Sequence, residues 1–169
     1  MNTVTEQDPP WWMRLIVGRR PRRTLLRLFV LVSLSVVVFR FVLLPIEIKG
    51  MSMRPTYTDG KVNFVNRLAY KWSKPKRSDV VAIQIPGEGV LLKRIVGLPG
   101  ERIALVNGKV YVNAKPLEEP YVRNKGEGAI SLATAITLEK AHYFVIGDDR
   151  DVTIARQVPG WEILGKVVF

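Results

Sequence analysis

Cysteine is absent from this 169-residue chain, and histidine occurs once, at His142. The first absence removes thiol nucleophiles, zinc–thiolate sites and disulfides together. It suits either side of a membrane, so it does not locate the protein. The second absence narrows the hydrolases. A Ser–His–Asp arrangement would depend wholly on His142, and a structural role is the simpler reading of a lone histidine. No carboxylate–histidine spacing suggests a ligand set, so neither a metal nor a cofactor is expected. Internal repeats and low-complexity tracts are missing too, and only one long apolar run occurs, Leu25–Leu44.

Acidic residues are scarce relative to basic ones, fifteen against twenty-six, for a formal charge of +11. Such a surplus would suit a nucleic-acid binder, so its distribution matters. Residues 1–45 hold seven arginines and two acids, a net of +5, and residues 46–169 carry the remaining +6. Six of those arginines, Arg14 through Arg27, precede or open the apolar run, which is a membrane-topology signal. The rest is spread along the chain as on a solvated surface, and no nucleic-acid partner is expected. The length allows one ordinary domain plus a short appendage.

Residues 1–23 form a basic tail in which Pro9-Pro10-Trp11-Trp12 precedes Arg14, Arg19, Arg20, Arg22 and Arg23. Its indoles fit a headgroup interface, and a disordered tail fits as well. The apolar run follows, within residues 24–45. Twenty helical residues rise about 30 Å, the thickness of the hydrocarbon core. Arg27 and Arg40 lie near opposite ends and can snorkel to water. The run ends in Leu43-Leu44-Pro45-Ile46-Glu47, without a small-x-small cleavage site, so a permanent single-pass anchor is expected. The arginines place the amino terminus in the cytoplasm and residues 46–169 on the outer or periplasmic face of a plasma (inner) membrane.

Beyond Pro45 short apolar runs alternate with turn residues. Strands are expected at 61–66, 79–85, 90–96, 142–146 and 163–169, and Asn107-Gly108 predicts a hairpin joining 102–106 to 109–112. Six or seven strands without a long helical period predict an all-β domain, either a barrel or packed sheets. Residues 113–138, with Pro116, Pro120, Gly126 and Gly128, read as a loop-rich insertion.

Just past the apolar run, Gly50-Met51-Ser52-Met53-Arg54-Pro55-Thr56 sets a hydroxyl between two methionines. A serine hydroxyl is a poor nucleophile until a neighbour takes its proton. With the histidine argument weak, lysine is the available base, and burial depresses its pKa. Bringing an amine from near 10.4 to about 8 takes roughly 3.3 kcal/mol, within what desolvation supplies. Lys93 lies in such a run, Leu91-Leu92-Lys93-Arg94-Ile95-Val96-Gly97-Leu98-Pro99-Gly100-Glu101, and on a strand shares a face with Leu91 and Ile95. On that strand alone, a surface lysine is the simpler reading.

Taken in order, Met51–Thr56, Lys93–Glu101 and Gly147-Asp148-Asp149-Arg150 resemble the signature segments of type I signal peptidases. These are membrane-anchored Ser–Lys endopeptidases with an all-β catalytic domain, and the likeness runs from about Ile48 to the carboxyl terminus. The resemblance implies Ser52 as acylating nucleophile, Lys93 as general base and the Ser52 backbone N–H in an oxyanion hole. Gly50 stands where some members carry a second hydroxyl donor. Arg94 and Asp148 match positions that pair to brace the site. The third segment departs from the pattern: Asp149 replaces an Asn, and Thr153 stands where a Ser orients the lysine. Ile154-Ala155-Arg156 is one residue short, leaving Arg156 without its usual carboxylate, for which Asp149 and Asp151 are the substitutes at hand.

The implied substrates are translocated preproteins, cut after their signal peptides, with small pockets for Ala-like residues at the first and third positions before the scissile bond. An extended segment binds by strand addition in this reading. Met51, Met53 and Tyr57 either form an apolar surface against lipid or pack in the core. The protein is expected to be monomeric. A dedicated maturation peptidase of the conjugative-transfer type and a non-cleaving preprotein-binding relative stand as alternatives.

Overall fold

The computed structural model describes residues 21–87, 89–122 and 130–168. The readings of residues 1–20, of Gly126 and Gly128, and of Phe169 lie outside the described residues. Two compact units result, one ending at Arg40 and one running from Phe41.

The first unit contains the helix α1, Pro21–Val37, and a π-helical turn, Val38–Val42, continues the chain across Arg40. The stretch Arg22–Val42 has a mean hydropathy of 2.3, and by length and composition it can cross a membrane. Its large apolar side chains, from Leu25 and Phe29 to Phe39, are exposed. A single apolar helix that buries none of these side chains suits lipid as its solvent better than water.

Eleven strands follow among the described residues. They are β1 (Leu43–Glu47), β2 (Val62–Asn66), β3 (Val80–Ile85), β4 (Gly89–Gly97), β5 (Arg102–Val106) and β6 (Lys109–Val112). Then come β7 (Lys115–Pro116), β8 (Ile136–Thr137), β9 (His142–Ile146), β10 (Arg156–Pro159) and β11 (Ile163–Val167). A seven-stranded sheet runs β1-β2-β11-β3-β4-β9-β10, and a four-stranded sheet runs β7-β6-β5-β8. The domain is all-β, as its alternating runs predict.

Three expectations change. The helix stops at Val42, not Leu44, because Leu43 pairs with Asn66 in β1 while Leu44 and Ile46 pack against the buried cluster that includes Ile48, Val65 and Val167. Leucine packed on a strand and leucine facing lipid look alike in a hydropathy window. The stretch 113–138 contributes two short strands, β7 and β8, to the smaller sheet. Strand β10 is an addition to the expected set, because Arg156-Gln157-Val158-Pro159 carries one buried residue, Val158, and no apolar run.

The apolar runs are unbroken where both faces are covered. On β3, Val80 and Ala82 enter one cluster with Met53 and Leu92, while Val81, Ile83 and Ile85 enter a second with Ile95 and Val145. On β9, Tyr143 and Val145 face that second cluster, and Phe144 and Ile146 face a third with Ile103, Leu105 and Val110. The hairpin turn has Asn107 at φ 47° and Gly108 at φ 72°, the left-handed pair that a two-residue type I′ connection requires. Strands β4 and β9, thus fixed between clusters, carry the site.

Candidate active site

Ser52 sits on a turn after β1, closed by the Arg54 amide on the Met51 carbonyl (3.0 Å) and the Tyr57 amide on the Met53 carbonyl (2.9 Å). Met53 anchors this turn, buried in the cluster with Val65 and Leu92. The open alternative for the methionines therefore splits. Met53 is core, Tyr57 packs half-buried against it, and Met51 remains exposed.

Lys93 projects from β4 with Nζ 2.9 Å from Ser52 Oγ and 3.2 Å from Thr153 Oγ1. The residue is 8% exposed. Burial first, and then the positive charge of Arg156, bring its amine down to about 8, while Asp148 opposes them. That value leaves a useful fraction of neutral amine near neutral pH. Thr153 Oγ1 accepts the Gly147 amide at 2.8 Å, which fixes the hydroxyl that faces the lysine. The extra methyl of threonine leaves this contact intact.

Period-two alternation sends Arg94 to the opposite face of β4. Its Nε and Nη2 donate to the two oxygens of Asp148 at 2.8 and 2.6 Å, and Asp148 is fully buried. Thr56 Oγ1 donates to Asp148 Oδ2 at 2.5 Å, and the Tyr121 ring lies 4.0 Å from the Arg94 guanidinium carbon. The neighbouring Asp149 amide then donates to the Ser52 carbonyl at 3.0 Å. Arg94 and Asp148 thus bear on Ser52 through the backbone beside it.

Gly50 has φ +99°, a left-handed conformation that favours glycine, and its amide donates to Asp59 Oδ1 at 2.7 Å. Backbone geometry is therefore a sufficient reason for glycine there. Arg156 borders a cavity beside Lys93. Asp149 accepts the Asp151 amide at 3.2 Å in a local turn. Glu101, the last residue of the lysine segment, serves a turn, taking the Leu98 amide at 2.7 Å and pairing with Arg77 at 2.5 Å.

Sequence reasoning assigns no role to Thr56, Tyr121, Glu119 or Arg150. Arg150 is 1% exposed; its Nη2 meets Glu119 at 2.5 Å and its Nε donates to the Gly147 carbonyl at 3.1 Å. Thr56 and Arg150 lie inside the signature segments, so their nearness in sequence to Ser52 and Asp148 is the signal that could have found them. Glu119 and Tyr121 sit in the stretch read as loop, where no local pattern marks them. His142 lies four residues along β9 from Ile146, about 13 Å away at strand rise. It contacts the Lys140 carbonyl and the edge of Trp161.

The arrangement is a hydroxyl, a buried low-pKa amine touching it, and a second hydroxyl orienting the amine. No group of acidic, histidine or cysteine side chains able to hold a metal occurs among the described residues. The family model described as "Signal peptidase, peptidase S26" matches residues 22–167. Signal peptidase I V of Bacillus subtilis (strain 168) is 32% identical over 130 residues, covering 70% of this chain and 77% of that protein. Signal peptidase IB of Staphylococcus aureus is 30% identical over 152 residues, covering 79% and 80% respectively. A crystal structure of a signal peptidase I from Enterococcus faecalis V583 aligns with a TM-score of 0.48 at 25% identity, over 57% of this chain and 98% of that one.

Proposed function

The chain belongs to the signal peptidase family, peptidase S26, and we propose that in this serine endopeptidase Ser52 attacks the substrate and Lys93 is its only base. The 2.9 Å contact between Lys93 Nζ and Ser52 Oγ carries this reading. In it, neutral Lys93 takes the hydroxyl proton as Oγ adds to the scissile carbonyl carbon. The carbon–nitrogen bond then breaks, and the lysine ammonium returns the proton to the departing amine. Water attacks the acyl ester, giving its proton to Lys93, and Ser52 leaves with a proton restored. The Ser52 backbone N–H faces the developing oxyanion in this scheme.

The substrates are preproteins cut after their signal peptides. A cleft of about 20 Å³ between residues 47–50 and 90–92 borders Ser52 and accepts the small residue before the scissile bond. Residues 89–93 of β4 pair with β3 on one side, whereas β9 pairs only from Arg94 onward. That leaves an edge on which an extended segment adds. Arg22–Val42 anchors the protein in the plasma (inner) membrane, with the amino terminus cytoplasmic and the catalytic domain, residues 46–169, outside as a monomer.

The test uses the full chain in detergent with a preprotein bearing an Ala-x-Ala site. Ser52→Ala and Lys93→Ala should each lower cleavage at least a thousandfold with the fold retained. Undiminished activity in either variant overturns the assignment.

A further inference from the structure

Two hollows meet at Ser52, and they differ more than tenfold in size. The small cleft of about 20 Å³ touches Gly50, Ser52 and Leu91 but not Lys93. The larger cavity, about 290 Å³, touches those three residues and Lys93 as well. Its floor is the packed cluster of Ile83, Ile85, Val145 and Val158 with the partly buried Leu91 against it, and Arg156 is the other cation on its lining. At its rim stand Met51, Val152 and Ile154. Val152 is 51% exposed and Ile154 63%, while Thr153 between them is 7% exposed. The segment thus alternates, with the threonine toward Lys93 and its aliphatic neighbours outward around the cavity. Neither aliphatic side chain has a part in bracing the dyad.

The base that takes the serine proton must return it to the departing nitrogen, so that nitrogen comes within hydrogen-bond reach of Nζ. The hollow touching both Ser52 and Lys93 therefore lies on the leaving-group side. The hollow touching Ser52 alone lies on the acyl side. Resting on the Ser52–Lys93 reading, we propose that the larger cavity binds the side chain of the residue immediately after the scissile bond and selects a large apolar one. A space of about 20 Å³ admits little more than one water-sized group, whereas an aliphatic cavity of about 150 Å³ already takes benzene. The 290 Å³ cavity, with Leu91, Met51, Val152 and Ile154 offering its accessible apolar surface, fits leucine or phenylalanine and leaves a lone methyl group mostly uncontacted. Specificity is then asymmetric across the bond: tight and small before it, roomy and apolar after it.

The experiment is a preprotein series with Gly, Ala, Leu, Phe or Asp after the scissile bond and Ala fixed before it, cut by the full chain in detergent. Leu and Phe should exceed Gly by about tenfold or more in kcat/KM, as burial of an apolar side chain in a matching pocket allows. Val158→Phe and Leu91→Phe, each narrowing the cavity, should shrink the Leu-to-Gly ratio toward one. The series in the unaltered enzyme decides the question even if neither variant folds. A flat series, or one favouring Gly, overturns the inference, as does a large-residue preference located before the bond. Cleavage by Ser52→Ala would instead overturn the underlying mechanism, so the two failures are distinguishable.

Discussion

Gly147 passes so close to Ser52 that a Cβ at position 147 would stand 2.1 Å from the Ser52 carbonyl oxygen and 2.5 Å from Thr153 Oγ1. The nearer clash is with the Ser52 backbone, so no rotamer change relieves it. Glycine at 147 is what lets the loop after β9 lie against the turn that carries Ser52. Gly147→Ala should displace Ser52 by a substantial part of an ångström. Displacements of that order cost about a hundredfold in rate. Cleavage of a preprotein by the folded variant measures this, and a wild-type kcat would show that the turn can move away without consequence.

In the proposed reaction Lys93 must be neutral to accept the serine proton, and burial brings its pKa down to about 8. With Lys93 as base, kcat/KM falls tenfold per unit of pH below about 8 and levels above it. His142→Gln should leave the profile unchanged, since His142 faces Lys140 and Trp161. A break near the usual histidine range that disappears in His142→Gln would assign the base elsewhere.

The same burial makes Lys93 a cost to the fold. Its native pKa, about 8, lies below the ordinary 10.5, so between these values the unfolded chain binds more protons than the native one. Stability therefore rises with pH across that window, and below it the penalty is fully present. Lys93→Met should stabilise the domain at pH 7 by up to about 3 kcal/mol, less the lost hydrogen bonds, while abolishing cleavage. Thermal melts at pH 7 and pH 10.5 check this, because the advantage of the variant should shrink at the higher pH. A constant difference would mean that the amine is not desolvated.

Thr153 Oγ1 contacts both Lys93 Nζ and the Gly147 amide. Thr153→Val keeps the shape and removes both contacts, so kcat should fall about ten- to a hundredfold and stability by about 1–3 kcal/mol. Thr153→Ser should stay within a few-fold of wild type. If serine and valine behave alike, the hydroxyl has no orienting part.

Asp148 and Arg94 form a buried bidentate pair, at 2.8 and 2.6 Å. Asp148→Leu leaves the guanidinium buried and uncompensated, for an expected loss of about 3–5 kcal/mol in denaturant unfolding. Adding Arg94→Met should restore part of it, since an apolar pair needs no charge compensation. Equal stability of the single and double variants would contradict this account.

Local pattern carries much of the site. Lys93 and Arg94 are neighbours, and the two-residue period of a strand alone sends one to Ser52 and the other to Asp148. The Asn107-Gly108 turn is equally plain, because few residues accept left-handed backbone. Leu43 and Leu44 read as helix because hydropathy measures how apolar a residue is and not which apolar surroundings it meets. Glu119 and Tyr121 give no signal because their partners, Arg150 and Arg94, lie some thirty residues away along the chain, beyond the reach of local periodicity.

The order of residues by itself narrowed the candidate chemistry, and the three signature segments, more than any strand pattern, singled out Ser52 and Lys93. Without cysteine, and with one histidine outside the reactive segments, a hydroxyl and an amine in apolar surroundings were the reactive groups at hand, and side-chain composition sets reactivity. Only the folded chain decided how deeply that amine is buried, what holds it in place and how much room opens beside it. Those quantities are distances and volumes between strands remote in sequence, and packing of the whole domain sets them.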